Sequence, residues 1–276
     1  MAITAADVNK LRQQTGAGMM DCKNALVEAN GDFEAAIDIL RKKGQKVAAK
    51  RGENETKEGF VLAQVTGDNS TGIVFALNCE TDFVAKNDGY KTLVESLMKV
   101  AIDNQPASAE DLLALKYDDK LTVAEKITEQ IGVIGEKLEV TGYGILKGGA
   151  VVAYNHPGNQ LATLVAVNNG TTEAIEAGRQ VAMQVAAMNP IALNKDGVDA
   201  RTIEREIEVG KELAIQEGKP ADMAEKIAQG RLAKFFKENT LLSQEFIRDN
   251  KLTVEQFLDS TVKGLTVSDF KRTSLS

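Results

Sequence analysis

Gly72-Ile73-Val74-Phe75-Ala76-Leu77-Asn78-Cys79-Glu80-Thr81-Asp82-Phe83-Val84-Ala85-Lys86 is the stretch on which the reading of this chain turns. Residues 72–77 form an unbroken apolar run of strand length, as a buried strand requires. Past the junction, Leu93, Val94, Leu97, Met98 and Ala101 recur at helical spacing over residues 91–102. Asp82 and Phe83 therefore stand at a strand-to-helix junction, and such junctions lie at the surface and commonly carry function. Two readings are open here. Either Phe83 belongs to the core and Asp82 caps the following turn, or the pair is a wedge for a protein partner.

Working outward, residues 59–65 and 72–77 flank a turn at 66–70 and read as a hairpin. The next helix ends near Asn104-Gln105-Pro106. Further on, residues 142–146, 150–154 and 161–167 read as a second set of strands, followed by a helix over 173–188 that stops at Asn189-Pro190. Ala76-Leu77-Asn78 before Glu80-Thr81 parallels Ala166-Val167-Asn168 before Gly170-Thr171. The expected fold class is α+β, with a duplicated strand-plus-helix core. Helices at 109–115 and 121–134, the latter with Thr122 as its cap, join the copies.

Ahead of this core, three short amphipathic helices are expected: one opening at Thr4, one over 19–30, and one running from Asp32 to just before Gly44. A bundle of about 45 residues has a marginal core, which suits a docking module better than an enzyme. Residues 41–51 carry six basic side chains and no acidic one. They read as a solvated helix end and linker, or as a contact for an acidic partner. The expected boundaries are 1–51 for the bundle, 52–140 for the first core subdomain and 141–276 for the second. Within the second, charge-rich helices at 199–217 and 221–238 meet at Gly218-Lys219-Pro220 and form an antiparallel hairpin. Gly210 and Gly230 fall about equally far from the turn and could face each other across it; Ile203, Ile207 and Ala214 lie on one stripe, and Met223, Ile227 and Phe235 on another. The tail over 252–270 reads as helical and packed back on the core.

The chain has 276 residues, 43% hydrophobic and 26% charged, with a net charge of -7. These are ordinary values for a soluble protein and argue against a nucleic-acid-binding surface. No apolar run approaches the roughly 20 residues of a membrane span, and no signal peptide is visible. Two distant cysteines, Cys22 and Cys79, fit a reducing, cytoplasmic compartment. There is no G-x-x-x-x-G-K-[ST] loop, no H-E-x-x-H and no C-x-x-C. No catalytic residue, metal or cofactor is expected. A Cys79–His156 nucleophilic dyad has only composition behind it.

Two longer stretches carry a specific resemblance. Thr15-Gly16-Ala17-Gly18-Met19-Met20-Asp21-Cys22-Lys23 with Ala25-Leu26 and Glu28-Ala29-Asn30-Gly31-Asp32 resembles the N-terminal signature of bacterial translation elongation factor Ts, and residues 78–86 are similar to that family's second signature. The resemblance implies a bundle of the ubiquitin-associated type, two related core subdomains and a coiled-coil hairpin. It also implies a function: guanine-nucleotide exchange on elongation factor Tu, bound in its GDP and nucleotide-free states, without covalent chemistry, nucleic acid or membrane. On this reading Thr81, Asp82, Phe83 and Val84 disturb the partner's magnesium and phosphate site. Val8, Leu11, Arg12, Met19 and Met20 of the bundle, Ile134 and Gly135, and His156 supply further partner contacts. Self-association stays open. The family's Phe-x-Arg-Phe tail is not matched, since Phe270-Lys271-Arg272 is followed by Thr273. The competing reading is a binding scaffold with a ubiquitin-associated-like module and no exchange activity.

Overall fold

The computed structural model describes residues 3–275 as an α+β chain. The chain divides into two compact units: Met1–Leu62 with Phe75–Gly144 and Thr273–Ser276, and Ala63–Val74 with Ile145–Arg272.

The first unit opens with α1 (Ala5–Thr15), α2 (Met19–Glu28) and α3 (Phe33–Lys50). Thr4 and Asp7 close a reciprocal capping box on α1, and Gly16 ends it in the left-handed region at φ 71°. Asp32 caps α3 by accepting from the Ala35 N–H. Val8, Leu11, Ala17, Cys22, Ala25, Leu26 and Ala36 form the bundle core, with Val133 packed against it. The third helix does not stop before Gly44. It continues to Lys50, so the expected linker begins later, and the reason is tertiary: Gly44 is buried where α3 crosses α7 (Val123–Ile134). A Cβ on Gly132 would sit 2.6 Å from the Gly44 Cα, so only paired glycines permit this crossing.

The chain then forms β1 (Glu58–Val65) and β2 (Thr71–Cys79), the one-turn helix α4 (Asp82–Ala85), α5 (Asp88–Asn104) and α6 (Ala109–Ala114) before reaching α7. Every residue of β2 is buried. Helix α5 turns Tyr90, Leu93, Val94, Leu97, Met98 and Ala101 inward, and the Tyr90 hydroxyl donates to the Leu77 carbonyl at 2.6 Å.

In the second unit, β4 (Ala150–Asn155) and β5 (Leu161–Val167) pair antiparallel, with Ala150 opposite Val167 and Asn155 opposite Ala162. Helix α8 (Thr172–Met188) lays Ala174, Ala177, Val181, Ala182 and Val185 into the same core as Val165 and Val167. The α9 (Ala200–Gln216) and α10 (Ala221–Asn239) hairpin comes next, then β6 (Glu245–Phe246), β7 (Asp249–Thr253), α11 (Val254–Thr261) and β8 (Val267–Ser274). Within the hairpin Gly210 meets Ala228 rather than Gly230, which faces open space. The inward stripe of α10 is Ala224, Ala228 and Leu232, and Met223 is exposed.

Strand order is β1-β2-β3 in one sheet, with β3 spanning Glu139–Lys147, and β4-β5-β8 in the other. Two expectations change accordingly. The strand read at 142–146 belongs with β1 and β2, and the tail is not wholly helical, because its last segment is the third strand of the second sheet. Each sheet thus takes a hairpin and adds a third strand beside the second. The hairpin turns repeat as well: Asn69 and Asn159 occupy equivalent left-handed positions at φ 57° and 54°. Helices α5 and α8 both end on a left-handed residue before proline, Gln105-Pro106 and Asn189-Pro190. Among the described residues no helix is long and apolar enough to cross a membrane.

Candidate functional site

The junction after β2 is where the structure departs from ordinary burial. Phe83 is 83% exposed, although an aromatic side chain placed in water forgoes about 1.5–3 kcal/mol of burial. It is therefore not a core residue. Nor is Asp82 the cap of the next turn. Thr81 is, accepting from the Val84 N–H at 3.4 Å, while Asp82 stands in the first turn and accepts from Lys86 Nζ at 2.6 Å. That hydrogen bond from Lys86 holds the Asp82 carboxyl below the usual carboxylate range. The pair is exposed, so it contributes little to stability.

A helix of four residues with no buried side chain has no stability of its own. The loop leading into it is held from outside. Glu136, just past the end of α7, accepts from the backbone N–H of Glu80 at 3.1 Å and of Thr81 at 3.0 Å through one oxygen, and from the Thr81 hydroxyl at 2.7 Å through the other. Glu80 in turn accepts from the Lys137 N–H at 2.6 Å, from Arg51 Nη1 at 2.8 and 3.0 Å, and from Asn54 Nδ2 at 2.9 Å. Partial desolvation pushes the Glu80 carboxyl up, but these donors outweigh it and leave the group below its ordinary value.

Thr81, Phe83, Val84, Val133, Ile134 and Glu136 line one open groove of about 700 Å³. Two sequence-chosen stretches about 50 residues apart, the turn at Thr81–Val84 and the end of α7, are thereby brought together. Gly135 is the left-handed cap of α7 at φ 82°, donating to the Ile131 carbonyl. Gly16, at the close of α1, lines the same groove. Nearby in sequence, Met19 and Met20 are 54% and 65% exposed in the first turn of α2, and Arg12 is exposed. Val8 and Leu11 are corrected: both are buried in the bundle core, because i and i+3 positions on α1 share its inward face. They support the surface without forming it. His156 is exposed in the turn between β4 and β5, its Nδ1 3.0 Å from the Tyr154 hydroxyl, and belongs to the other compact unit.

Cys79 is fully buried, and burial pushes its thiol up to about 11, so it is not a nucleophile. Among the described residues no group of three or more His, Cys, Asp or Glu could hold a metal ion. Sequence reasoning did not find Glu136, Arg51 or Glu80 as site residues. Glu136 had one legible signal: a carboxylate just beyond a helix C-terminus opposes the helix dipole, which implies another task for it.

The family model described as Elongation factor TS matches residues 80–276. Proteins named Elongation factor Ts are similar along nearly the whole chain. That of Cytophaga hutchinsonii is 56% identical over 275 residues, covering 99% of each chain. That of Amoebophilus asiaticus is 54% identical over 273 residues, covering 99% of this chain and 98% of its own. That of Porphyromonas gingivalis is 51% identical over 278 residues, covering 100% and 99%. With an exposed aromatic at the head of the matched region and this likeness along its length, the chain belongs to the elongation factor Ts family of translation factors.

Proposed function

We propose that the chain promotes release of GDP from elongation factor Tu by inserting Asp82 and Phe83 beside the partner's magnesium and phosphate site. The observation that carries this reading is the 83% exposure of Phe83 on a turn of backbone tied down by side-chain hydrogen bonds at Glu136 and Glu80. Backbone already fixed ahead of an exposed aromatic lowers the ordering cost of inserting it into a pocket.

Magnitudes require more than the wedge. A nucleotide bound at nanomolar affinity is held by about 12 kcal/mol, and releasing it ten-thousand-fold faster lowers a barrier by about 5.5 kcal/mol. An exposed contact supplies at most about 1 kcal/mol. The three-helix module of residues 1–51, through Arg12, Met19 and Met20, together with Ile134, Gly135 and His156, supplies the remaining binding energy, and the wedge directs it. Coupling in binding is reciprocal, so GDP weakens the factor's affinity for its partner by the same ratio as the factor weakens the partner's affinity for GDP.

The test monitors release of fluorescent GDP from elongation factor Tu of the same organism in excess unlabelled GDP. Wild type accelerates release, and Asp82→Ala with Phe83→Ala loses at least tenfold of that acceleration. Folded wild type without any acceleration would favour a scaffold and dismiss the wedge.

A further inference from the structure

Resting on the exchange reading, we infer that Glu136 is the positioning residue of the wedge. It fixes Phe83 by clasping the loop ahead of it, without touching the partner.

The clasp runs in both directions. The Glu136 side chain takes the backbone N–H groups of Glu80 and Thr81, and the Glu80 side chain takes the backbone N–H of Lys137 at 2.6 Å. Each of two loops therefore uses its carboxylate to satisfy the other's main chain. Hydrogen bonds to charged groups are worth roughly twice neutral ones, and donors to both oxygens of Glu136 set its orientation. Thr81 is the hinge between clasp and wedge: its hydroxyl donates to Glu136 at 2.7 Å while accepting from the Val84 N–H at 3.4 Å. Removing the Glu136 carboxylate frees two adjacent N–H groups and the cap hydroxyl in one step. The one-turn helix carrying Phe83 has no buried residue to keep it in place afterwards.

The clasp also reaches the N-terminal bundle. Arg51, at the end of α3, donates twice to Glu80. Helix α7, which ends beside Glu136, crosses α3 at Gly44 and Gly132. The bundle helix and the wedge are thus tied at two points within one compact unit. Docking energy gathered at the bundle can act on the wedge only while this loop stays ordered.

The test compares Glu136→Ala, Glu136→Gln, Phe83→Ala and the Glu136→Ala/Phe83→Ala double variant in the full-length protein. The maximal rate of GDP release and the factor concentration giving half of it are both measured. Glu136→Ala is expected to lower the maximal rate at least tenfold with less than a threefold change in half-saturating concentration. Glu136→Gln keeps an acceptor for the two N–H groups and recovers part of the loss. The double variant is no slower than Phe83→Ala alone. Further loss in the double variant, or an effect confined to half-saturation, overturns the assignment.

Amide hydrogen exchange on the free factor decides the clasp without reference to activity. The Glu80 and Thr81 amides exchange at least tenfold faster in Glu136→Ala, while those of Leu97 and Met98 in α5 are unchanged. Uniformly faster exchange would mean general unfolding and would also overturn it. Failure of wild type to release GDP would strike the exchange reading alone, since the amide exchange rates report on the clasp separately.

Discussion

At the scale of single residues, one methyl group has opposite consequences at two helical glycines. A Cβ on Gly132 would lie 2.6 Å from the Gly44 Cα, a backbone atom that moves only with its helix. Overpacking of this kind costs about 1–3 kcal/mol, more than the roughly 1 kcal/mol that alanine gains over glycine in a helix. Gly230 lies inside α10 with nothing within 4 Å of its added Cβ. Gly132→Ala should lower the urea midpoint and Gly230→Ala should raise it, the latter by up to about 1 kcal/mol. Equal shifts at the two sites would refute the glycine-to-glycine crossing. Glu80 provides a pH test. Its folded pKa lies below the ordinary value of 4.5, so its contribution is present above pH 4.5 and is lost as pH falls through the lower folded value. Protection of the Lys137 amide against exchange should therefore persist at about pH 5 and fall in more acidic buffer, and Glu80→Gln should remove that dependence.

Among the elements, β8 was the least legible and has a large structural task. Residues 252–270 hold Val254, Phe257 and Leu258 at helical spacing, and α11 does form there, but Leu265 and Val267 are buried in the second core as the chain becomes a strand. Strand β8 lies beside β5, so removing it together with Leu265 would expose a sheet edge and forfeit the burial of Leu265 and Val267, worth about 1.5–3 kcal/mol each. Truncation after Thr261 should lower the thermal midpoint and produce soluble aggregates by size exclusion. A truncated chain as stable as the parent would show that β8 does not close this core. Helix α3 teaches the complementary lesson. Basic residues followed by glycine read as a helix stop, yet Gly44 sits mid-helix because α7 packs on it at backbone distance. Local propensity is a weak prior where a neighbouring helix supplies the packing.

Across the whole molecule, one plan of hairpin, helix and third strand occurs twice. In the second copy the α9–α10 hairpin, β6, β7 and α11 stand between the helix and the third strand. That insertion hid the sheet partner of β5, about 100 residues downstream, and made β3 look like the start of the second copy. The sequence alone determined the α+β class and most helices and hairpins, and it placed Asp82-Phe83 at a strand-to-helix junction. These rest on periodicity, capping and turn chemistry, which act between residues a few positions apart. Tertiary structure alone decided that Phe83 faces water and that Glu136, Glu80 and Arg51 hold the loop ahead of it. Those outcomes depend on hydrogen bonds such as Glu80 to Arg51, 29 positions apart, and Thr81 to Glu136, 55 apart. No local pattern encodes such pairs, because each partner alone is an ordinary polar residue until the fold brings the loops together.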